Sequence, residues 1–460
     1  MLIAPFALLF ALSESPAPAA APTAPAAPAT AAAAAPAPAT APATAPAPAA
    51  QSGDSSNGKG LRFVWREHPS LRAGDWLRLD FGAKIQGDKL NPGDDPVDFD
   101  DLQLTRARIG VDGELFKVFQ FSVERELTDS GDLKVNAKAQ KNPWRDVYGE
   151  LKFADAFQVR GGRFKVPFSL DQLTGVSNND FVYRSLGGSY LAPARDTGGM
   201  VHGRLFDRAF TYAAGYFEHD GDNSRSTKVA GGDRTIAARI TATPLAAIKL
   251  LNLDKAEVGA NYATTEVSDD SELPNGLRGR TVMSEYTFFE PVFVRGNRNR
   301  YGVDIDWSND QFGARAEFMA VTDAREAQGL RGNDLNAARA RAWYVQGTWV
   351  VTGDKKERPV EPKHPLFAGG VGAIELAARF ERLWFDSKDT GEPAFTNSRA
   401  EVILPNGDRA FTVGVNWYLN RWMKLQMNAI HEELQDNGRT PLFDGGTKFW
   451  STVFRAQLAL

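Results

Sequence analysis

From residue 75 onward, apolar and polar side chains alternate in segments of about ten residues, the period of a β-strand with one face in a nonpolar medium. Over 104–112, Ala107, Ile109 and Val111 fall on one side, and Arg106, Arg108, Gly110 and Asp112 on the other. Phe119, Phe121 and Val123 oppose Gln120, Ser122 and Glu124 in the same way, as Val303, Ile305 and Trp307 oppose Gly302, Asp304 and Asp306. Phe411, Val413, Val415, Trp417 and Leu419 likewise oppose Thr412, Gly414, Asn416 and Tyr418. The pattern predicts strands over 76–86, 101–112, 117–126, 144–153, 156–165, 197–206, 209–218, 234–243, 255–265, 300–308, 311–321, 339–352, 370–385, 409–419, 422–433 and 447–460.

A soluble sandwich also alternates, so the connections decide between them. Those after the second, fourth, sixth, tenth and fourteenth strands are very short, whereas the ones between are long and rich in Gly, Asp, Asn and Pro. Short turns at one end and long loops at the other are the arrangement of an outer-membrane barrel. The connections around 244–254 and 353–369 break the rule. In hydrocarbon every backbone donor and acceptor needs a partner within the protein, which a sheet achieves only by closing. The expected fold is an all-β transmembrane antiparallel β-barrel of about sixteen strands. Tryptophans near strand ends (Trp76, Trp144, Trp307, Trp349, Trp417, Trp422, Trp450) suit interfacial girdles, or alternatively a soluble core. The terminal KFWSTVFRAQLAL puts Trp450, Thr452, Phe454, Ala456, Leu458 and Leu460 on one face, like the strand signal read by the barrel assembly machinery, although Leu460 stands where Phe is usual.

The amino-terminal region follows other rules. LIAPFALLFAL, residues 2–12, has the length of the apolar part of an export signal and is followed by small residues at Ala19–Ala21, but no Lys or Arg precedes Lys59. The expected organisation is a signal over 1–20, an Ala/Pro-rich disordered tether over 21–60 and a barrel over 61–460. After residue 60 no run approaches the roughly 20 apolar residues of a spanning helix. The 460-residue chain has no cysteine, which removes disulfides, thiolate metal sites and a cysteine nucleophile. A formal charge of −4 is too small to imply a nucleic-acid partner.

Several segments together resemble the phosphate-selective porin O/P family of Gram-negative bacteria. VRGGRFKVPFSLDQLTGVSNNDFVYRSLGGSYLAPARDTGGMVHGRL, residues 159–204, is similar to that family's strand ending Gly-Arg-Phe-Lys-x-Pro-Phe, its long loop and its Pro-x-Arg-Asp-x-Gly return. WYVQGTWVVTGDKK (343–356), GAIELAARFERL (372–383) and the last strand are also similar. The resemblance covers most of 60–460 and implies a trimeric 16-stranded outer-membrane channel whose third extracellular loop, here roughly Pro167 to Thr197, folds inward. Phosphate or polyphosphate selection is known for some members only.

Anion selection needs cations facing water at the narrowest point, and arginine's planar fork of donors matches phosphate or carboxylate oxygens. Arg184 and Arg195 on the third loop are the first candidates, with Tyr183 as a neutral donor and Lys165 at the loop's root; their other role would be to clamp the loop to wall carboxylates. Arg106, Arg108, Arg239, Arg315 and Arg379 fall on polar strand faces, and either line the lumen or brace it against Glu124, Glu150, Glu317, Glu375 and Glu381. Arg295, Arg298 and Arg300 end the longest loop, as an anion-attracting mouth or a solvated loop. The acidic run 94–101 lacks the Gly and terminal Glu of an EF-hand loop. His68, His202, His219, His364 and His431 show no metal-ligand spacing, and no Gly-x-Ser-x-Gly elbow occurs.

The expectation is therefore a passive channel for small, phosphate-like anions, with no catalytic residues, metal or cofactor. Its partners would be outer-membrane lipid, two further copies of itself and the assembly machinery. A general or carbohydrate/carboxylate porin is the alternative on the same barrel, and a non-conducting structural or adhesive barrel a third.

Overall fold

A computed structural model of the chain describes residues 60–65, 68–93, 102–128, 143–221, 234–268, 276–284, 286–387, 394, 397–435 and 446–460. The expected signal, the tether up to residue 59 and the acidic run 94–101 lie outside these residues. A short hairpin, β1 (Leu61–Trp65) and β2 (Pro69–Ala73), comes first. The wall follows with β3 (Leu77–Asn91), β4 (Leu102–Leu115), β5 (Phe119–Glu126), β6 (Trp144–Ala154), β7 (Phe157–Lys165), β8 (Arg195–Leu205), β9 (Phe210–Phe217), β10 (Arg234–Ala242) and β11 (Glu257–Val267). Two small strands, β12 (Gly279–Arg280) and β13 (Thr287–Phe289), pair only with each other. β14 (Gly296–Asn309), β15 (Phe312–Arg325), β16 (Leu335–Val350), β17 (Ala373–Ser387), β18 (Asn406–Tyr418), β19 (Met423–Leu434) and β20 (Lys448–Ala459) complete the wall.

Consecutive wall strands pair antiparallel, and β20 returns to β3 from Thr452↔Asn91 to Ala459↔Lys84, closing sixteen strands into a barrel. Every expected strand is present within a few residues of its expected bounds. The two exceptional connections are real: 243–256 carries a 3₁₀ turn at Leu250–Lys255, and 351–372 carries another at Leu366–Ala368. Trp307 and Trp417 hydrogen-bond the Leu251 and Val371 carbonyls of these connections, at 3.1 and 2.8 Å. The hairpin was not foreseen as strands. β20 ends at Ala459, the next N–H, of Leu460, meets the Ala83 carbonyl, and β2 takes over the same edge of β3 from Ser70↔Asp80 to Ala73↔Leu77.

The alternation sorts the side chains as a barrel in lipid requires. Leu104, Ile109, Val303, Val345 and Phe454 stand exposed on the outside, while Gln86, Arg108, Glu124, Arg239, Asp304 and Arg455 are buried within. A belt of exposed apolar side chains is stable only against hydrocarbon. At the long-loop ends of β15–β20 apolar side chains join the inward rows, beside the buried Asp323, Arg325, Asp408 and Glu432. In β17, Leu383 and Phe385 point inward and are buried, while Arg382 and Asp386 alternate with them on the outer face. Leu277, Val282, Phe288, Phe289 and Val292, from the connection between β11 and β14, cover this inner apolar surface together with Ile403 and Phe449. Part of the barrel therefore holds a dry core rather than a uniformly polar lumen.

Candidate pore site

The connection 166–194 contains α1 (Leu170–Leu173) and α2 (Leu186–Tyr190), each capped by a serine: Ser169 accepts from Gln172 N–H and Ser185 from Gly188 N–H. Most of its polar contacts with the wall run to one arc. Glu317 of β15 accepts the Leu170 and Asp171 N–H groups at 3.0 and 3.2 Å, and Glu381 of β17 accepts Leu186 N–H at 2.5 Å. Asn428 of β19 accepts Val182 N–H at 2.7 Å, while Arg455 and Gln457 of β20 donate to the Val182 and Ser177 carbonyls. Arg300 of β14 donates to the Leu191 carbonyl at 2.9 Å.

A further anchor comes from the opposite end of the wall. Lys356, in the connection 351–372, places its Nζ 2.5 Å from Asp180 and 2.8 Å from Glu375, all three side chains at most 2% exposed. Burial alone would raise the Asp180 pKa, but Lys356, Arg358 and Arg315 outweigh it and hold that carboxyl well below the usual carboxylate range.

On the other arc of the wall cations and carboxylates both face inward, and several of the cations gather near the third loop. Arg106 lies within electrostatic reach of Arg108, Arg145, Arg184 and Arg455, and Lys165 within reach of Lys84, Arg184 and Arg195. The carboxylates meeting them are fewer. Glu124 and Glu126 hold Arg108, Lys84 shares Glu124, Asp146 holds Arg195 at 2.7 Å, and Asp88 takes Arg455 at 2.6 Å. Arg184 is the loop's cation in this group. Burial first, with Arg195 and Arg145 nearby, lowers its pKa against the pull of Asp171.

The expected site residues divide. Arg184, Arg195, Lys165, Arg106 and Arg108 come together. Arg184 clamps its own loop, through the Asp171 and Thr174 carbonyls, rather than a wall carboxylate. Arg195 is the first residue of β8 and not of the loop, and it does bind a wall carboxylate. Lys165 donates to the carbonyls of Gln172, Leu173 and Thr174, closing the end of α1. Tyr183 is half-buried against the apolar cluster, and its carbonyl accepts from Arg379 at 3.1 Å. Arg239 lies apart, held by Asp304, whereas Arg315 and Arg379, held by Asp306 and Glu381, also reach the third loop, at the Thr174 hydroxyl and at the Arg184 carbonyl. Glu375 and Glu317, expected as arginine partners, instead hold Lys356 and two backbone N–H groups. Arg298 and Arg300 are neither a mouth nor a solvated loop: both are buried in β14 on Asp220, and Arg298 also binds Asp323.

Lys84 and Arg455 were not singled out, although strand alternation puts both on inward-facing rows; alternation puts Arg145 on the row of Val147 and Leu151, and it joins the group only at an irregularity in the β5–β6 pairing. Lys356 and Asp180 sit in connections without periodicity, so no pattern marks them.

Residues 78–459 match the sequence model of the phosphate-selective porin O and P family. The chain belongs to that family. This porin is an outer-membrane channel protein of the Gram-negative type, its short turns at the periplasmic end. Among solved structures it is similar to the trimer form of in-vitro folded OmpT, an outer membrane protein of Vibrio cholerae, at 14% identity and a TM-score of 0.51, over 84% of this chain and 100% of that one. Salmonella typhi OmpF in complex with daunomycin shares 12% identity with a TM-score of 0.51, over 87% of this chain and 100% of that one. An anion-selective porin from Comamonas acidovorans shares 14% identity with a TM-score of 0.47, over 84% of this chain and all of the other. At such identities the likeness is one of fold. No curated protein matches the sequence.

Proposed function

We propose that this porin passes small anions, phosphate-like oxyanions among them, between its third loop and the arc of β3–β8 and β20. The observation that carries the proposal is Arg184: a loop tied to β14–β20 presents it toward Arg106, Arg145 and Arg195. A loop anchored across one side of the lumen narrows the passage to the other side. There, guanidinium groups replace part of an anion's water with charge-assisted hydrogen bonds. The low-dielectric wall concentrates the field, so cations that are individually paired still leave a net positive potential wherever they outnumber carboxylates.

Planar bilayers test this directly. Under a potassium chloride gradient the reversal potential should report chloride passing more readily than potassium, and phosphate should reduce chloride current. In Arg184→Gln and Arg195→Gln the preference and the phosphate block should both fall; a cation-selective wild type would refute the proposal. Because Arg108, Arg195 and Arg455 are all ion-paired, the second reading is a general or carboxylate porin in which arginines brace the wall. It predicts little change in either variant. We also propose a homotrimer, the form recorded for the Vibrio cholerae protein, to be read by light scattering in detergent.

A further inference from the structure

The amino-terminal hairpin is not needed to close the barrel, yet its register sets up an unusual row. Arg62 of β1 pairs directly with Arg72 of β2, and Arg72 with Arg78 of β3, so three guanidinium-bearing residues stand side by side on one face of a three-stranded sheet. Side chains directly opposite on neighbouring strands lie about 5 Å apart at Cβ, and like charges there repel. The row is only partly neutralised. Arg78 meets Asp80 at 3.0 Å and Glu114 at 3.8 Å, and Asp80 also faces Ser70 and His68. Among the described residues Arg62 and Arg72 make no ion pair, and the Arg72 Nε is buried without a hydrogen-bond partner.

Placement gives the row its meaning. On β3 the even-numbered residues face the lumen, since Lys84 reaches Glu124 and Gln86 reaches Arg106, so Arg78 continues the channel's inner surface at the periplasmic rim. The opposite face of the hairpin carries Leu61, Phe63 and Trp65, exposed by 66%, 63% and 55% and continuous across the sheet with the lipid-facing Leu71 and Leu79 positions. The hairpin thus sits where membrane, channel exit and periplasm meet, oily toward one and cationic toward the others.

We propose that Arg62, Arg72 and Arg78 form a binding site for a phosphate oxyanion at the periplasmic rim, separate from the lumen and independent of which ion the third loop selects. Adjacent guanidinium forks offer a phosphate several parallel N–H donors, and the bound anion relieves the repulsion that the register imposes. Free phosphate at the channel exit and the phosphate of an anionic lipid headgroup share this chemistry.

The test uses the full protein in nanodiscs. In zwitterionic lipid, inorganic phosphate is titrated calorimetrically into wild type, R62Q/R72Q and R62K/R72K. In a second arm, retention of phosphatidylglycerol by the same proteins is read by native mass spectrometry. The glutamine pair should weaken one of the two by about tenfold, the loss expected for removing a charge-assisted contact, while the lysine pair keeps most of the binding. Loss in the first arm identifies free phosphate as the ligand, and loss in the second the headgroup. Unchanged phosphate affinity together with unchanged lipid retention in R62Q/R72Q overturns the site. So does equal loss in the lysine pair, which would mark disturbance of the hairpin rather than removal of charge.

Discussion

Lys356→Met isolates the anchor between the periplasmic connection and the third loop. The wild-type ammonium satisfies Asp180 at 2.5 Å and both oxygens of Glu375 at 2.8 and 2.9 Å, in a pocket where none of the three side chains is more than 2% exposed. Methionine fills similar volume but leaves two carboxylates buried and facing each other. Removing one partner of a buried ion pair costs about 3–5 kcal/mol, against about 1.4 kcal/mol for each tenfold in an equilibrium. The barrel's ladders are untouched, so the cost falls on the local contact. Even the lower bound raises the detached population of the 176–182 stretch by about two orders of magnitude. Single-channel recordings should change from steady to flickering current, and protease cleavage within 166–194 should accelerate by a comparable factor, since local opening governs it. K356M/D180N/E375Q, which removes the stranded charges as well, should recover most of the wild-type behaviour. A single variant indistinguishable from wild type in both assays, or a triple variant as disturbed as the single, would refute the reasoning.

Other outcomes follow from the same geometry. Because Asp180 has its pKa lowered, its stabilising contribution is complete above the ordinary carboxylate value and lost only as pH falls through the lowered one, so Asp180 should stay ionised down to about pH 4, which difference infrared spectroscopy against D180N would show. Glu317→Leu strands the Leu170 and Asp171 N–H groups at the start of α1, each at a cost of about 1–3 kcal/mol, and should increase current noise without lowering the barrel's unfolding midpoint. Val345 points into lipid at 55% exposure, mid-strand in β16, and Val345→Arg should destabilise the barrel by about 2–4 kcal/mol in urea refolding into vesicles.

The wall was legible because period-two alternation in hydrocarbon admits no exceptions over the membrane's thickness: the segments around Ile109, Val303 and Val413 could be assigned to a face by inspection. Where strands rise beyond the lipid that constraint lapses. Leu383 and Phe385 then turn inward, and their cover, from Leu277, Val282, Phe288, Phe289 and Val292, follows no strand period that would have announced it. β1 and β2 were missed for a related reason, being short and containing Pro69, which breaks the pattern. At the site, residue type singled out cations of which five come together in the fold, and alternation placed Arg106 and Arg108 inward. Their roles depend on partners distant in sequence: Arg195 with Asp146, Arg455 with Asp88, Lys356 with Asp180. No local signal encodes such pairings.

The step where β20 ends and β2 begins bears on how the chain keeps from self-associating. A cylinder whose last strand stops short of its first leaves a notch, and residues 77–80 would there present bare amides and carbonyls to any extended segment nearby. The amino-terminal hairpin fills the notch with the chain's own backbone, passing the exposed edge on to β1, a strand of five residues. Truncation before residue 74 would return that template to the rim and invite rim-to-rim aggregation in a cylinder otherwise sealed all round.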